Sequence, residues 1–111
     1  MIRTCLLGLG RTGMVIAEEL LKAPDFKLIT AMARPNSPKK GKVLADYILG
    51  GSQLTIQSTD ILADEVRRHQ WDVAIDFTSP EATLKNARIL AEHGVPMVIG
   101  TTGFNTMKSM N

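Results

Sequence analysis

The sequence has one cysteine, few aromatic residues and no long apolar run, and each shortage excludes a class of protein. A single cysteine, Cys5, cannot form an internal disulfide. The two histidines, His69 and His93, are widely separated and show no ligand spacing, which argues against a metal site built from Cys and His pairs. Because no apolar run approaches the ~20 residues of a membrane-spanning helix, we expect no membrane partner.

The charge is nearly balanced, with 13 Lys and Arg residues against 11 Asp and Glu residues and a formal net charge of +2. Weak, dispersed charge with few aromatic side chains is not typical of nucleic-acid binding, so we expect a small-molecule partner. The first apolar stretch is too short for a signal peptide and runs into glycines, which predicts a cytoplasmic protein. The length of 111 residues predicts one domain, 1–111.

Short apolar runs alternate with helical patterns along the chain. The strands are predicted at residues 2–7, 27–33, 54–57, 71–77 and 95–99. The helices are predicted at residues 11–22, from a cap at Thr59 or Asp60 to about 69, and from a cap at Ser79 to 93, with a short one within 43–48. This order predicts an α/β fold with a doubly wound parallel sheet, Rossmann-like, of about five strands with helices on both faces.

In such a sheet the ligand lies beyond the carboxyl ends of the strands, at the point where the strand order reverses. The loops after Leu7, Ala33, Phe77 and Ile99 each follow a predicted strand. We therefore expect these four loops to meet at one edge of the sheet, which we call the carboxyl edge.

The first of these loops reads Gly8-Leu9-Gly10-Arg11-Thr12-Gly13, a Gly-x-Gly-x-x-Gly between the first strand and the first helix. In this motif the first glycine makes a tight turn, the second lets a pyrophosphate reach the backbone, and the third packs the helix closely on the strand. The free N–H groups of the helix N-terminus favour phosphate. The loop predicts a dinucleotide site rather than a merely structural glycine turn.

The end of the second strand favours NADPH over NADH as the cofactor. An NAD site normally has an Asp or Glu there to bind the ribose hydroxyls, whereas this chain reads Ala31-Met32-Ala33-Arg34. The guanidinium of Arg34 suits a 2′-phosphate. The nearby Lys39, Lys40 and Lys42 are interpreted as a solvated loop.

Two further segments narrow the interpretation. Residues 72–84 contain Asp76-Phe77-Thr78-Ser79-Pro80, and residues 93–104 contain Val98-Ile99-Gly100-Thr101-Thr102-Gly103-Phe104. Together with the glycine loop, these segments closely resemble the dihydrodipicolinate reductase family over essentially the whole chain. The glycine loop departs from the family pattern Gly-x-x-Gly-Arg-Met-Gly, because it is one residue tighter and has Thr12 in place of Met.

The resemblance implies an NAD(P)H-dependent reductase, which reduces 4-hydroxy-tetrahydrodipicolinate to tetrahydrodipicolinate in the diaminopimelate pathway of lysine biosynthesis. It implies that the glycine loop with Arg11 holds the pyrophosphate and that Arg34 binds the 2′-phosphate. Phe77 and Thr78 would lie along the nicotinamide ribose and Gly100 at the nicotinamide. Thr102 would contact both the cofactor and the carboxylate of the substrate.

Family members also carry a separate substrate domain that builds a homotetramer. Its His-His-x-x-Lys and Ser-Gly-Thr segments do not occur in this sequence. We therefore expect this chain to lack the substrate domain and any catalytic or metal-binding residue. Alone, it should bind nucleotide and turn over nothing, and the dicarboxylate substrate should bind only with the missing domain.

Several other residues could carry chemistry. Asp76 could serve the site or hold neighbouring loop amides, and the structural role is preferred. His69 and His93 are expected to complement helix dipoles, and Cys5 to lie in the core. The sequence leaves two alternative functions: the cofactor domain of a related dehydrogenase of the diaminopentanoate type, and a stand-alone nucleotide-binding module.

Overall fold

The computed structural model describes residues 1–49 and 51–101. Its five strands are β1 (Ile2–Leu7), β2 (Phe26–Ala33), β3 (Ile56–Ser58), β4 (Val73–Asp76) and β5 (Met97–Ile99). Its three α-helices are α1 (Arg11–Lys22), α2 (Leu62–Arg68) and α3 (Pro80–Glu92), and 3₁₀ turns occupy Leu44–Asp46 and Thr59–Ile61. Within the part of the chain described, no helix combines the length and the apolarity that crossing a bilayer requires.

The strands form one parallel sheet in the order β3-β2-β1-β4-β5. The chain moves outward from β1 to β3, then crosses back to place β4 on the other side of β1. The strand order therefore reverses between β1 and β4. This topology confirms the predicted doubly wound fold and locates its switch point at the ends of these two strands.

Apolar side chains of the central strands alternate between the two faces, as the period of a β-strand requires. Leu6 and Ala31 pack with Ala17 of α1 on one face, and Leu7 and Met32 pack on the other. The second face is covered by α2 and α3, which contribute the buried residues Leu62, Val66 and Leu90. Both faces of the sheet are thus shielded from water, which explains why the central strands are apolar runs.

The segment before β3 differs from the prediction. The predicted short helix within 43–48 is only the 3₁₀ turn. The chain turns back directly after it, since the N–H of Gly51 donates to Ile48 (2.8 Å), and the N–H groups of Leu44 and Ala45 donate to Leu54 (3.0 Å) and Ser52 (2.9 Å) of the returning segment. The predicted strand 54–57 begins later, at Ile56, for the same reason. Backbone pairing with residues 52–54, and not local helical bonding, thus determines the structure of this segment.

Three elements also differ in detail at their ends. Ser58, not Thr59 or Asp60, caps the turn that leads into α2, since its hydroxyl accepts from the N–H of Asp60 at 3.3 Å. The strand predicted at 71–77 is shorter in the structure, where β4 covers only Val73–Asp76. The last strand begins at Met97, because the N–H of Val95 donates to Leu90 at the end of α3.

The start and stop signals of α3 are confirmed. The hydroxyl of Ser79 accepts from the N–H of Ala82 at 3.2 Å, and Pro80 is the first helical residue. The helix ends at Glu92, and the predicted stop residue Gly94 follows its C-cap, His93, with a φ of +67° that glycine adopts readily.

Candidate functional site

Backbone hydrogen bonds join the loops at the carboxyl edge. The N–H of Gly8 donates to Met32 of β2, and the N–H of Phe77 donates to Leu7 of β1, both at 2.8 Å. The N–H of Gly100 donates to the carbonyl oxygen of Asp76, also at 2.8 Å. The loops that follow β1, β2, β4 and β5 therefore lie side by side, as the sequence predicted.

Close packing requires two of the glycines in the loop. Gly8 has a φ of +98°, and a Cβ there would lie 2.5 Å from the carbonyl oxygen of Phe77. A Cβ on Gly13 would overlap the carbonyl oxygen of Gly8. Real Cβ atoms essentially never approach other atoms so closely. The first turn of α1 is thus pressed against the end of β1.

Gly10 is different, because its surroundings are open. It is exposed, and a Cβ built there meets no atom within 4 Å. Protein packing therefore gives no reason for a glycine at this position, whereas a ligand lying against the backbone does. Leu9, the residue between Gly8 and Gly10, is buried in the core, so its side chain does not occupy the open surface at Gly10.

The N-terminus of α1 can accept an anion. Its N-cap, Gly10, has no side chain to accept a hydrogen bond, and the first turn contains no acidic residue. The first helical hydrogen bond runs from the N–H of Met14 to Gly10 at 2.9 Å, and Arg11 and Thr12 are exposed. Open N–H groups, a positive helix end and an adjacent guanidinium fit a pyrophosphate.

Arg34 lies where β2 leaves the sheet, one strand away from the glycine loop. It is exposed and follows directly after the buried Ala33. The ammonium group of Lys39 lies 5.7 Å from the centre of the Tyr47 ring, a position within its own loop. The strand register therefore brings Arg34 to the carboxyl edge, beside the glycine loop.

Phe77 occupies the switch point between the glycine loop and the end of β5. Its backbone lies against Gly8, and a Cβ on Gly13 would be 4.0 Å from its own Cβ. A Cβ on Gly100 would overlap the Phe77 ring, so that ring lies directly on the Gly100 backbone. The structure thus brings together the residues predicted for the two halves of the cofactor. Thr102 lies outside the described residues.

The carboxylate of Asp76 is fully buried and is the centre of a hydrogen-bond network. Its Oδ1 accepts from the N–H (2.9 Å) and hydroxyl (2.6 Å) of Thr78 and from the hydroxyls of Thr83 and Thr101 (both 2.8 Å). Its Oδ2 accepts from the amide of Asn86 at 3.0 Å. Burial by itself would raise the pKa of this carboxyl group, but hydrogen bonds from Thr78, Asn86 and Thr83 outweigh burial and hold the pKa below its ordinary value.

The sequence pointed to neighbouring loop amides as partners of Asp76, and the N–H of Thr78 is one. It did not single out Thr83, Asn86 or Thr101 as partners. Thr83 and Asn86 are three residues apart on α3 and are almost fully buried. A weak signal is present, because two polar residues at helical spacing occupy the side of α3 that also carries Leu90. Thr101 lies within the recognised motif, but its contact with Asp76 depends on how β4 and β5 pair.

The remaining reactive side chains lie away from the carboxyl edge. His69 and His93 follow the last turns of α2 and α3, where the helices return to the other edge of the sheet. Cys5 is buried in β1, and burial, with smaller contributions from nearby Glu65 and Asp76, raises the pKa of its thiol. Residues 1–49 and 51–101 contain no cluster of three or more His, Cys, Asp or Glu side chains that could hold a metal ion.

Comparison with solved structures supports the fold. The crystal structure of RSP, a Rex-family repressor, superposes with a TM-score of 0.72 at 14% sequence identity, covering 99% of this chain and 56% of that one. A second structure, of RSP in complex with β-NAD⁺ and operator DNA, gives a TM-score of 0.70 at 13% identity, covering 99% of this chain and 54% of the other. At such low identity these matches establish the architecture alone.

Comparison of sequences identifies the family. The model of the dihydrodipicolinate reductase N-terminus matches residues 2–111. The 4-hydroxy-tetrahydrodipicolinate reductase of Methanocaldococcus jannaschii is 37% identical over 106 residues, covering 94% of this chain and 39% of that protein. The enzyme of the same name from Burkholderia thailandensis is 39% identical over 98 residues, covering 86% of this chain and 34% of that protein. The chain thus spans well under half the length of these relatives, and it belongs to the dihydrodipicolinate reductase family, of which it corresponds to the N-terminal part.

Proposed function

We propose that this chain is a nicotinamide dinucleotide-binding domain, 1–111, and that it prefers NADPH to NADH. The observation that carries the proposal is the glycine loop. Gly8 and Gly13 are required by packing, whereas Gly10 leaves open backbone beside an uncapped helix N-terminus. A pyrophosphate is the group that such an arrangement accommodates.

In the proposed complex the pyrophosphate lies against the loop formed by Gly8, Leu9, Gly10, Arg11, Thr12 and Gly13. Arg34 binds the 2′-phosphate of the adenosine. Phe77 and Thr78 line the ribose of the nicotinamide, and Gly100 and Thr102 contact the nicotinamide end. The support for this orientation is the order of the loops along the carboxyl edge, with the β2 loop on one side of the glycine loop and the β4 and β5 loops on the other.

We also propose that the complete protein is the reductase whose name its relatives carry, reducing 4-hydroxy-tetrahydrodipicolinate in the cytoplasm for lysine biosynthesis. The bound nicotinamide supplies the hydride. This chain binds and orients the cofactor, and Thr102 contacts the carboxylate of the substrate. The rest of the substrate site and the homotetramer interface belong to the substrate domain. The family assignment favours this reaction over that of a diaminopentanoate-type dehydrogenase.

Isothermal titration tests the cofactor preference. We expect the chain to bind NADPH more tightly than NADH, and Arg34→Ala to weaken NADPH binding by about tenfold while changing NADH affinity by less than about twofold. The matched control is Lys42→Ala, which removes an exposed cation from the neighbouring loop and should alter neither affinity. Equal affinities of the unmodified chain for the two cofactors would contradict the preference.

A second measurement tests whether this chain binds the cofactor without catalysing the reaction. We expect the purified chain to show no substrate-dependent oxidation of NADPH, followed at the absorbance of the reduced nicotinamide. Hydride transfer needs a second wall to hold the substrate and a proton donor within reach. The buried carboxyl group of Asp76 is ionised and engaged by its hydrogen-bond donors, so it cannot serve as that donor. Turnover above background would show that residues within the chain complete the active site.

A further inference from the structure

The loops predicted to meet the nicotinamide are all tied to one side chain. The loop after β4 is held by the N–H and hydroxyl of Thr78, both bonded to Asp76 Oδ1. The turn after β5 is held by the N–H of Gly100 on the Asp76 carbonyl oxygen and by the hydroxyl of Thr101, 2.8 Å from Oδ1 and 3.2 Å from that carbonyl. Asp76 therefore connects both sides of the nicotinamide half of the site.

We propose that Asp76 is the positioning residue of this half, acting through Thr101 to fix the Gly100–Thr101 turn where the nicotinamide must lie. This inference rests on the proposed dinucleotide binding and adds a residue to which no cofactor contact is assigned. Asp76 touches neither the glycine loop nor Arg34 through any of its side-chain hydrogen bonds described. The effect of Asp76 on cofactor binding should therefore be confined to the nicotinamide end.

The chemistry of the network explains why a carboxylate stands at this position. Four donors converge on Oδ1 and one on Oδ2, and an ionised carboxylate is the side chain that only accepts hydrogen bonds. The hydroxyls of Thr83 and Thr101 lie 2.9 Å apart and share Oδ1 as their acceptor, which brings α3 against the same turn. The first turns of α3 and the end of β5 are thus anchored to the same two oxygen atoms. Buried and fully bonded networks of this kind hold one geometry.

The test separates the nicotinamide half from the rest of the site by using two ligands. NADPH contains the nicotinamide, whereas 2′-phospho-ADP-ribose has the adenosine, the pyrophosphate and the second ribose without it. Thr101→Val removes the hydroxyl and keeps the shape of the side chain. We expect about tenfold weaker binding of NADPH and less than about twofold change for 2′-phospho-ADP-ribose, as suits the loss of a hydrogen bond to a charged group.

Two further sets of variants test whether the effect depends on the Thr101 hydroxyl and on its contact with Asp76. Thr101→Ser keeps the hydroxyl and should restore NADPH affinity to within about twofold of the original chain. Asp76→Asn replaces an accepting oxygen with a donating amide group and disturbs several contacts of the network, that with Thr101 among them. It should also weaken NADPH selectively, and the Asp76→Asn/Thr101→Val double variant should lose less affinity than the two single losses combined, because the contact between Asp76 and Thr101 can be lost only once. Leu90→Ala, a core change elsewhere on α3, controls for lost stability and should leave the ratio of the two affinities unchanged.

The outcomes are distinct. Equal weakening of both ligands by Thr101→Val, unchanged NADPH binding, or failure of Thr101→Ser to rescue would each overturn the positioning role while leaving dinucleotide binding in place. If the unmodified chain bound neither ligand, the proposed function itself would fail, and the positioning role with it.

Discussion

Gly13→Ala is expected to destabilise the protein by about 3 kcal/mol, the upper range for a group forced into a filled space. The new Cβ overlaps the carbonyl oxygen of Gly8, which is backbone and cannot rotate away. Relief requires α1 to move off β1 and to disturb the packing of Ala17 on the sheet. Urea unfolding followed by circular dichroism measures the loss as a lower midpoint at constant slope.

Gly10→Ala is the matched control for stability and the sharper test of function. No atom lies within 4 Å of the added Cβ, and the φ of −75° suits alanine. We expect a loss of unfolding free energy of about 1 kcal/mol or less, because alanine is a poorer N-cap than glycine but its methyl group meets no other atom. NADPH affinity should nevertheless fall by about tenfold or more, since the methyl group occupies the path proposed for the pyrophosphate. A Gly10→Ala variant destabilised as strongly as Gly13→Ala, or one that binds NADPH normally, would contradict this account of the open space.

Asp76→Ala is expected to cost about 3 kcal/mol or more at neutral pH, because it leaves several buried donors without an acceptor. Thr83 and Asn86 are almost inaccessible to water, so solvent cannot easily replace the lost carboxylate. The matched control is Asp72→Ala. That aspartate is exposed and accepts from the N–H of Arg3 at 2.8 Å, and its loss should cost about 0.5 kcal/mol.

The pH dependence of the stability difference between the original chain and Asp76→Ala tests whether the ionised carboxylate is the stabilising form. The folded-state pKa of Asp76 lies below its ordinary value, so its contribution is fully present above the unfolded pKa of about 3.9 and is lost as the pH falls through the folded pKa. We expect the difference in unfolding free energy between the original chain and Asp76→Ala to be constant near neutrality and to shrink below pH ~4. A difference that stays constant throughout the acid range would mean that the carboxylate charge contributes nothing.

The sequence predicted the alternation of elements well, because the central strands and α1 and α3 carry strong local signals. The run from Ile2 to Leu7 and the Ser79-Pro80 start of α3 are recognisable without any tertiary information. The prediction was weakest between Val43 and Ser58. In that region backbone hydrogen bonds join residues 43–45 to residues 52–55, and irregular pairing of this kind leaves no periodic sequence pattern in either segment.

The glycine loop could be recognised from its spacing, but the different tasks of its glycines could not. Gly8 is constrained by the backbone of Phe77, a residue far later in the chain, and Gly13 is constrained by the backbone of Gly8. Asp76 is a similar case. Its place at a strand end favours a structural role, but the sequence does not show which donors surround its carboxylate. Its five donors come from three separate segments, and their convergence depends on the register between β4 and β5.

By itself, the sequence determined the order of strands and helices, the position of the glycine loop and the family, because these depend on local propensity and on motifs of fixed spacing. The tertiary structure alone decided which glycine faces open space and which residues surround Asp76. Both depend on atoms far apart in the chain that meet only when β4 packs beside β1 and α3 returns over the sheet. Local sequence specifies the parts, and the packing of distant segments sets the distances on which binding depends.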